Sequence, residues 1–340
     1  MKLFHYPHHI DLEGGGSLAE LTIAYTTYGE MNSEKNNVVW ICHALTANSD
    51  VAAWWPGVVG KDHVIDPQKY FIVCANIAGS CYGTTGPLST NPLTNHPYYN
   101  SFPLITIRDM VKAHMLLRKH LGIEKIFLLM GGSMGGYQAM EWAIMEKQII
   151  EHLVLLATSP TESAWGIATH TAQRLAIEAD VSWLSPSPNA GARGLKAARA
   201  IGMLTYRNYG IMVRQQTDAR IEKLDNYKAS SYIIYQGDKL VQRFNAYSYW
   251  LLTKSMDSHH LARGRGGHLE KVLQAITQKT LIIGITSDIL CPVAEQQFLA
   301  RYMPNAKLDI IDSDYGHDGF MVESKIISQH LADWLPNLPA

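Results

Sequence analysis

The sequence predicts an α/β protein: one doubly wound domain with a mostly parallel sheet and a helical insertion near its middle. Three observations predict this. Short apolar, β-branched runs alternate with stretches of helical spacing, a rhythm that builds βαβ units around a buried sheet. The rhythm stops near Ser159 and resumes near Thr280, which marks the text between as an insertion. One strand-to-helix junction, "LLMGGSMGGYQAMEWA" (128–143), sets four glycines in six positions around a single serine.

Taken in order, "NVVWICHA" (37–44) and "YFIVCAN" (70–76) read as buried strands. "TIRDMVKAHMLLRKHLG" (106–122) has helical spacing: Ile107, Met110, Val111, His114, Met115 and Leu117 share a face, and Gly122 ends the helix. "KIFLLM" (125–130) is a strand, "MGGYQAMEWAIME" (134–146) a helix and "HLVLLAT" (152–158) a strand. The insertion is mostly helical or polar, with a loop marked by Pro186, Pro188, Gly191 and Gly194. The strand pattern returns in "TLIIGITSDILCP" (280–292) and "KLDIIDSDYGHDGF" (307–320), followed by a helix to about Leu335. The expected organisation is a core in two parts, 1–158 and 274–340, around a helical cap at 159–273.

The 340 residues are 47% hydrophobic and 17% charged, enough to bury a large core. The net charge is -1 and no basic tract occurs, so the expected partners are small molecules rather than nucleic acid. Cys42, Cys74, Cys81 and Cys291 show no CxxC spacing and read as free thiols of a reducing compartment. The N-terminus has no apolar signal region, and no window approaches the ~18–20 apolar residues of a membrane span, so a cytoplasmic protein is expected. The adjacent pairs His8–His9 and His259–His260 cannot converge on one helix face, and no HExxH occurs. No metal site is expected.

Gly131-Gly132-Ser133-Met134-Gly135 is a G-x-S-x-G match lying between a strand and a helix. That context suits a nucleophile: the tight turn lifts the Ser133 hydroxyl to the sheet's carboxyl edge, and small neighbours let strand and helix approach. The Met134 N–H, at the helix N-terminus, then faces the place where an oxyanion would form. A base and an orienting acid are expected on loops after later strands, in the order acid then histidine. Asp288 and His317 follow the apolar runs 281–285 and 308–311. In this reading His317 takes the Ser133 proton and Asp288 fixes the imidazole tautomer. Asp312 and Asp314 are competing acids, ranked lower because they sit on the same loop as His317. The second oxyanion donor is expected from "CHALTANS" (42–49), with the Leu45 N–H as candidate and His43 shaping the loop.

Together with "NIAGSCYGTTGPLSTNP", "ATSPTESAWGIATHTAQRLAIEAD", "YQGDKLVQRFNAYSYWLLTKSMD" and "YGHDGF", these stretches resemble the homoserine O-acetyltransferases, from about residue 10 to the C-terminus. The resemblance implies the α/β-hydrolase fold with a helical lid, and ping-pong acetyl transfer from acetyl-CoA to L-homoserine in methionine biosynthesis. No cofactor is held; acetyl-CoA is a cosubstrate. The resemblance also implies Arg199, with Arg207 as the alternative, as the grip on the homoserine carboxylate, for which a planar guanidinium suits. It implies Asp318 as ligand of the substrate amino group, and a homodimer through the cap helices. Ala47 stands where the family often has glycine. Succinyl-CoA as donor, serine as acceptor, and a plain serine esterase on the same fold stay open at this stage, as does a scaffold that only binds.

Overall fold

The computed structural model describes residues 1–336. Its centre is an eight-stranded sheet: β1 (Lys2–Tyr6), β2 (Leu21–Tyr28), β3 (Val38–Cys42), β4 (Phe71–Ala75), β5 (Ile126–Gly132), β6 (Ile150–Leu156), β7 (Lys279–Ile285) and β8 (Ala306–Ile311). The spatial order is β1-β2-β4-β3-β5-β6-β7-β8. From β4 to β8 every neighbouring pair is parallel; β1 pairs antiparallel with β2, and β2 with β4.

Alternation along each strand divides the core between the two faces of the sheet. On β3, Val38, Trp40 and Cys42 join one apolar layer, and Val39 and Ile41 the other. The first layer is covered by α1 (Ile107–His120) and α2 (Met134–Met145). Thr106 and Asp109 close a capping box at the start of α1, satisfying two backbone donors there. The opposite layer receives the last helix, α9 (Ser324–Trp334), whose Ile327, Leu331 and Trp334 recur at helical spacing and are buried. His114, on the apolar face of α1, is a core histidine: it stacks on Trp142, and its Nε2 lies 2.9 Å from Gln138 Oε1.

Between β6 and β7 the chain forms α3 (Ala164–Glu178), α4 (Ala192–Tyr206), α5 (Tyr209–Gln216), α6 (Lys228–Val241) and α7 (Ala246–Asp257). α4 packs on α3 and on α6. The Pro186–Pro188 stretch lies in turns between α3 and α4. After β7 comes α8 (Val293–Tyr302). The antiparallel margin formed by β1 and β2 was not expected from the sequence. In β2 the alternation Leu21-Thr22-Ile23-Ala24-Tyr25 did carry a strand signal, but no helix separates β1 from β2, so the βα rhythm did not reach them. All four cysteines are free, and among the described residues no helix is long and apolar enough to cross a membrane.

Candidate active site

The strand β5 delivers Ser133 at its carboxyl end with φ 53° and ψ -127°, a conformation costly for a residue bearing a Cβ. The surroundings hold it there. Ser133 N–H donates to Leu156 O at 2.9 Å, while Ser133 O accepts from Gly136 N–H at 2.8 Å and Thr158 Oγ1 at 2.9 Å. The neighbouring glycines are explained by close approach. A Cβ on Gly131 would fall 2.3 Å from the Gly135 carbonyl, and one on Gly135 would fall 2.1 Å from Cys42 O. The turn therefore wedges between its own helix and β3, where no side chain fits.

Asp288 leaves β7 and His317 leaves β8, so adjacent parallel strands bring both to the edge where Ser133 stands. His317 Nε2 lies 2.8 Å from Ser133 Oγ, and His317 Nδ1 lies 2.7 Å from Asp288 Oδ2. A carboxylate only accepts, so Nδ1 carries the proton and Nε2 is free to accept from the serine hydroxyl. The other Asp288 oxygen, Oδ1, accepts from the Leu290 and Cys291 N–H groups at 2.8 and 2.9 Å. All three residues are buried: Ser133 is 7%, Asp288 3% and His317 4% exposed. Burial disfavours the imidazolium, but the Asp288 charge and hydrogen bond, helped by Asp318 and Glu162, outweigh it and hold the His317 pKa above its ordinary value.

The competing acids are engaged elsewhere: Asp312 Oδ1 accepts from Thr286 Oγ1 at 2.8 Å, and Asp314 pairs with Arg214 at 2.8 Å. Asp288, Cys291 and His317 also bring three possible metal-ligand atoms within 4.8 Å of one another. Two of these are already spent on each other, and burial, reinforced by the Asp288 charge, holds the Cys291 thiol well above the usual range. The donor set thus suits a hydrogen-bonded chain rather than a cation.

Beside Ser133 opens a cavity of about 320 Å³, which Leu45, Arg199, Arg243, His317 and Asp318 help to line. Arg199, from α4, has its guanidinium 5.3 Å from the Tyr206 ring centroid. Among the described residues it has no carboxylate partner. Arg207 does: its Nε lies 3.1 Å from Asp318 Oδ2. Burial pushes the Asp318 carboxyl up, against the pull of Arg207, Arg199 and His317. Tyr206 was not singled out from the sequence. Its signal was its spacing, seven residues after Arg199 and so on the same face of α4.

The loop after β3 presents Leu45 to this cavity. His43 is fully buried and spends both ring nitrogens on backbone: Nδ1 lies 2.9 Å from Ala44 O, and Nε2 accepts from Ile77 N–H at 3.3 Å. Burial pushes its pKa down to about 4, so it is neutral and structural, as expected for a residue that shapes the loop.

Residues 37–324 match the family model described as the alpha/beta hydrolase fold. The chain is 45% identical over 322 residues to a homoserine O-acetyltransferase of Cyclobacterium marinum, covering 95% of this chain and 91% of that one. In structure it superimposes on a homoserine O-acetyltransferase from Bacillus anthracis with a TM-score of 0.91 at 23% identity, covering 100% and 98% of the two chains. An acetylester hydrolase from Corynebacterium glutamicum gives a TM-score of 0.86 at 23% identity over 98% and 95%. At these identities the two structures speak to the fold alone, and the fold carries both transferases and hydrolases.

Proposed function

Because the chain belongs to the homoserine O-acetyltransferases, which transfer an acetyl group to homoserine in methionine biosynthesis, we propose that it does so by a ping-pong mechanism on Ser133, with acetyl-CoA as cosubstrate. Ser133 Oγ attacks the thioester carbonyl while His317 Nε2 takes the hydroxyl proton. Asp288 holds the tautomer and balances the imidazolium. The tetrahedral oxyanion accepts from the Leu45 and Met134 N–H groups. Collapse breaks the C–S bond, and His317 returns the proton to the departing coenzyme A thiolate. The homoserine hydroxyl then enters, gives its proton to His317 and attacks the acetyl-serine carbonyl. The second collapse releases O-acetylhomoserine and restores the Ser133 hydroxyl.

One observation carries the substrate assignment. The cavity onto which Ser133 and His317 open is also lined by Arg199, whose guanidinium has no carboxylate partner among the described residues, and by the carboxylate of Asp318. A zwitterionic amino acid matches that pair, carboxylate to Arg199 and ammonium to Asp318, with its side-chain hydroxyl left to reach the acyl-serine. The helices from 159 to 273 act in this reading as a cap that keeps water from the intermediate. Exposed Leu175, Val181, Leu184 and Leu204 on that segment suit a homodimer through the cap, and the setting is cytoplasmic.

The test is coenzyme A release from acetyl-CoA, followed with a thiol reagent, with and without L-homoserine, beside Ser133→Ala and with succinyl-CoA in parallel. Homoserine-dependent release from acetyl-CoA, lost in the variant, supports the reading. Release indifferent to homoserine would assign a hydrolase and overturn the roles given to Arg199 and Asp318.

A further inference from the structure

Arg243 lies between α6 and α7, and its side chain reaches out of the helical segment to the loop after β3. Its Nη1 donates to the Thr46 carbonyl and to Tyr82 Oη, the latter at 2.6 Å. Its Nη2 reaches Thr46 Oγ1 at 3.4 Å. The Arg243 carbonyl in turn accepts from Cys81 Sγ at 3.6 Å, and Phe244 packs edge-on to Tyr82. Nothing in the chemistry above uses these contacts.

The consequence follows from peptide planarity. The Thr46 C=O and the Ala47 N–H belong to one trans peptide and point in opposite directions. The Ala47 N–H donates to Ala44 O at 3.0 Å. Ala44 C=O and Leu45 N–H likewise belong to one peptide, so fixing the carbonyl aims the Leu45 N–H the other way. His43 Nδ1 holds that same carbonyl from the core side at 2.9 Å. The guanidinium thus stands at the head of a series: Arg243 to Thr46 C=O, Ala47 N–H to Ala44 C=O, and Leu45 N–H into the cavity. Hydrogen bonds in series also polarise one another, and a cation at the head strengthens the terminal donor.

We propose that Arg243 is a positioning residue for acyl transfer: through two consecutive peptide planes it orients and polarises the Leu45 N–H toward the oxyanion. This rests on Ser133 as the acylated group and Leu45 as an oxyanion donor. It makes the helical segment part of the oxyanion site as well as a cover for it.

The experiment measures acylation of Ser133 by p-nitrophenyl acetate, read as the burst of p-nitrophenol, in the wild type, Arg243→Ala and Arg243→Lys. This donor has no coenzyme A moiety. Misplacing one oxyanion donor costs about 10²-fold, so the expected result is a burst slowed by about 10²-fold in the alanine variant and less in the lysine variant. Because Arg243 is exposed, millimolar guanidinium ion should restore at least about tenfold of the loss, a rescue that general loosening of the fold would not give. Affinity for methylboronic acid, whose adduct is tetrahedral and anionic, should fall in parallel. If Arg243→Ala acylates at the wild-type rate with the small ester and loses only affinity for acetyl-CoA, the residue holds the donor and the inference is overturned. Slowing with neither guanidinium rescue nor loss of boronate affinity overturns it as well. If the wild type gives no burst at all, it is the acyl-serine reading that fails. Should Arg243→Ala not fold, Arg243→Lys and Tyr82→Phe, each of which removes part of the clamp, carry the same comparison.

Discussion

Asp288→Asn separates orientation from charge at the base, and the structure fixes its outcome. Asp288 Oδ1 accepts two backbone N–H groups, from Leu290 and Cys291. An asparagine must keep its carbonyl oxygen there, because an amide NH₂ facing two donors would lose both bonds. Its NH₂ then occupies the Oδ2 position, 2.7 Å from His317 Nδ1. That group only donates, so Nδ1 must become the acceptor and the imidazole proton moves to Nε2, the atom 2.8 Å from Ser133 Oγ. The base now presents a proton to the hydroxyl it should deprotonate. A wrong tautomer of this kind costs about 10⁴-fold, or about 5.4 kcal/mol of barrier at 1.36 kcal/mol per decade. Fold stability should change little, since both backbone bonds survive. The assay is pre-steady-state release of coenzyme A from acetyl-CoA, with circular dichroism to confirm the fold. An Asp288→Asn enzyme within tenfold of the wild type would refute the tautomer argument. Asp312→Asn and Asp314→Asn, at residues engaged by Thr286 and Arg214, should stay within about threefold.

Replacing the fork of Arg199 by Lys should raise the homoserine KM by about 10- to 100-fold, the worth of one charge-assisted hydrogen bond of about 1.5–3 kcal/mol; an unchanged KM would move the carboxylate grip elsewhere. In the first half-reaction, acylation should fail as pH drops through the raised pKa of His317, because the protonated ring cannot accept from Ser133. A bound homoserine ammonium screens the Asp318 charge that helps to raise this pKa, so the acid limb of deacylation should lie at lower pH; single-turnover pH profiles of the two halves decide this. Acid stability should follow three buried neutral imidazoles, His43 and His114, each pushed down to about 4, and His259, pushed down to about 3, from 6.5. Between those values the unfolded chain binds protons that the native one does not. Stability is therefore full above pH 6.5 and falls toward pH 4 by about 1.4 kcal/mol per unit for each histidine, about 4 kcal/mol per unit together. His317, raised instead, acts with the opposite sign: its contribution is present at low pH and lost as pH rises through its folded value. Urea midpoints at pH 5 and 7 test the slope, and His114→Gln should lower it by about a third.

What the sequence could disclose follows from how far each feature depends on distant parts of the chain. The continuous apolar runs of β3 and β5, buried along their whole length, and the glycines forced by contact between β5, α2 and β3, are local or nearly so. They were legible. Ser133, Asp288 and His317 could be placed because each follows the carboxyl end of a strand, and parallel neighbours deliver those ends to one edge. The choice between Arg199 and Arg207 is of another kind. Arg199 lies midway along α4 and Arg207 caps its C-terminal end, and the sequence ranks them only by resemblance. What distinguishes them is which one is already paired, and that is set by where the loop after β8 places Asp318, about a hundred residues away along the chain. An arginine held by Asp318 is poorly placed to take a second carboxylate without losing the first, whereas the free one can. The clamp on Thr46 spans 197 residues and leaves no local mark at all, since its acceptor is a main-chain carbonyl that any residue would supply. Such features sit where two parts of the chain meet, and side-chain patterns along either part do not encode them. In the proposed reading the acceptor grip and the oxyanion loop lie at such junctions, while the nucleophile and its base follow strands of the sheet itself.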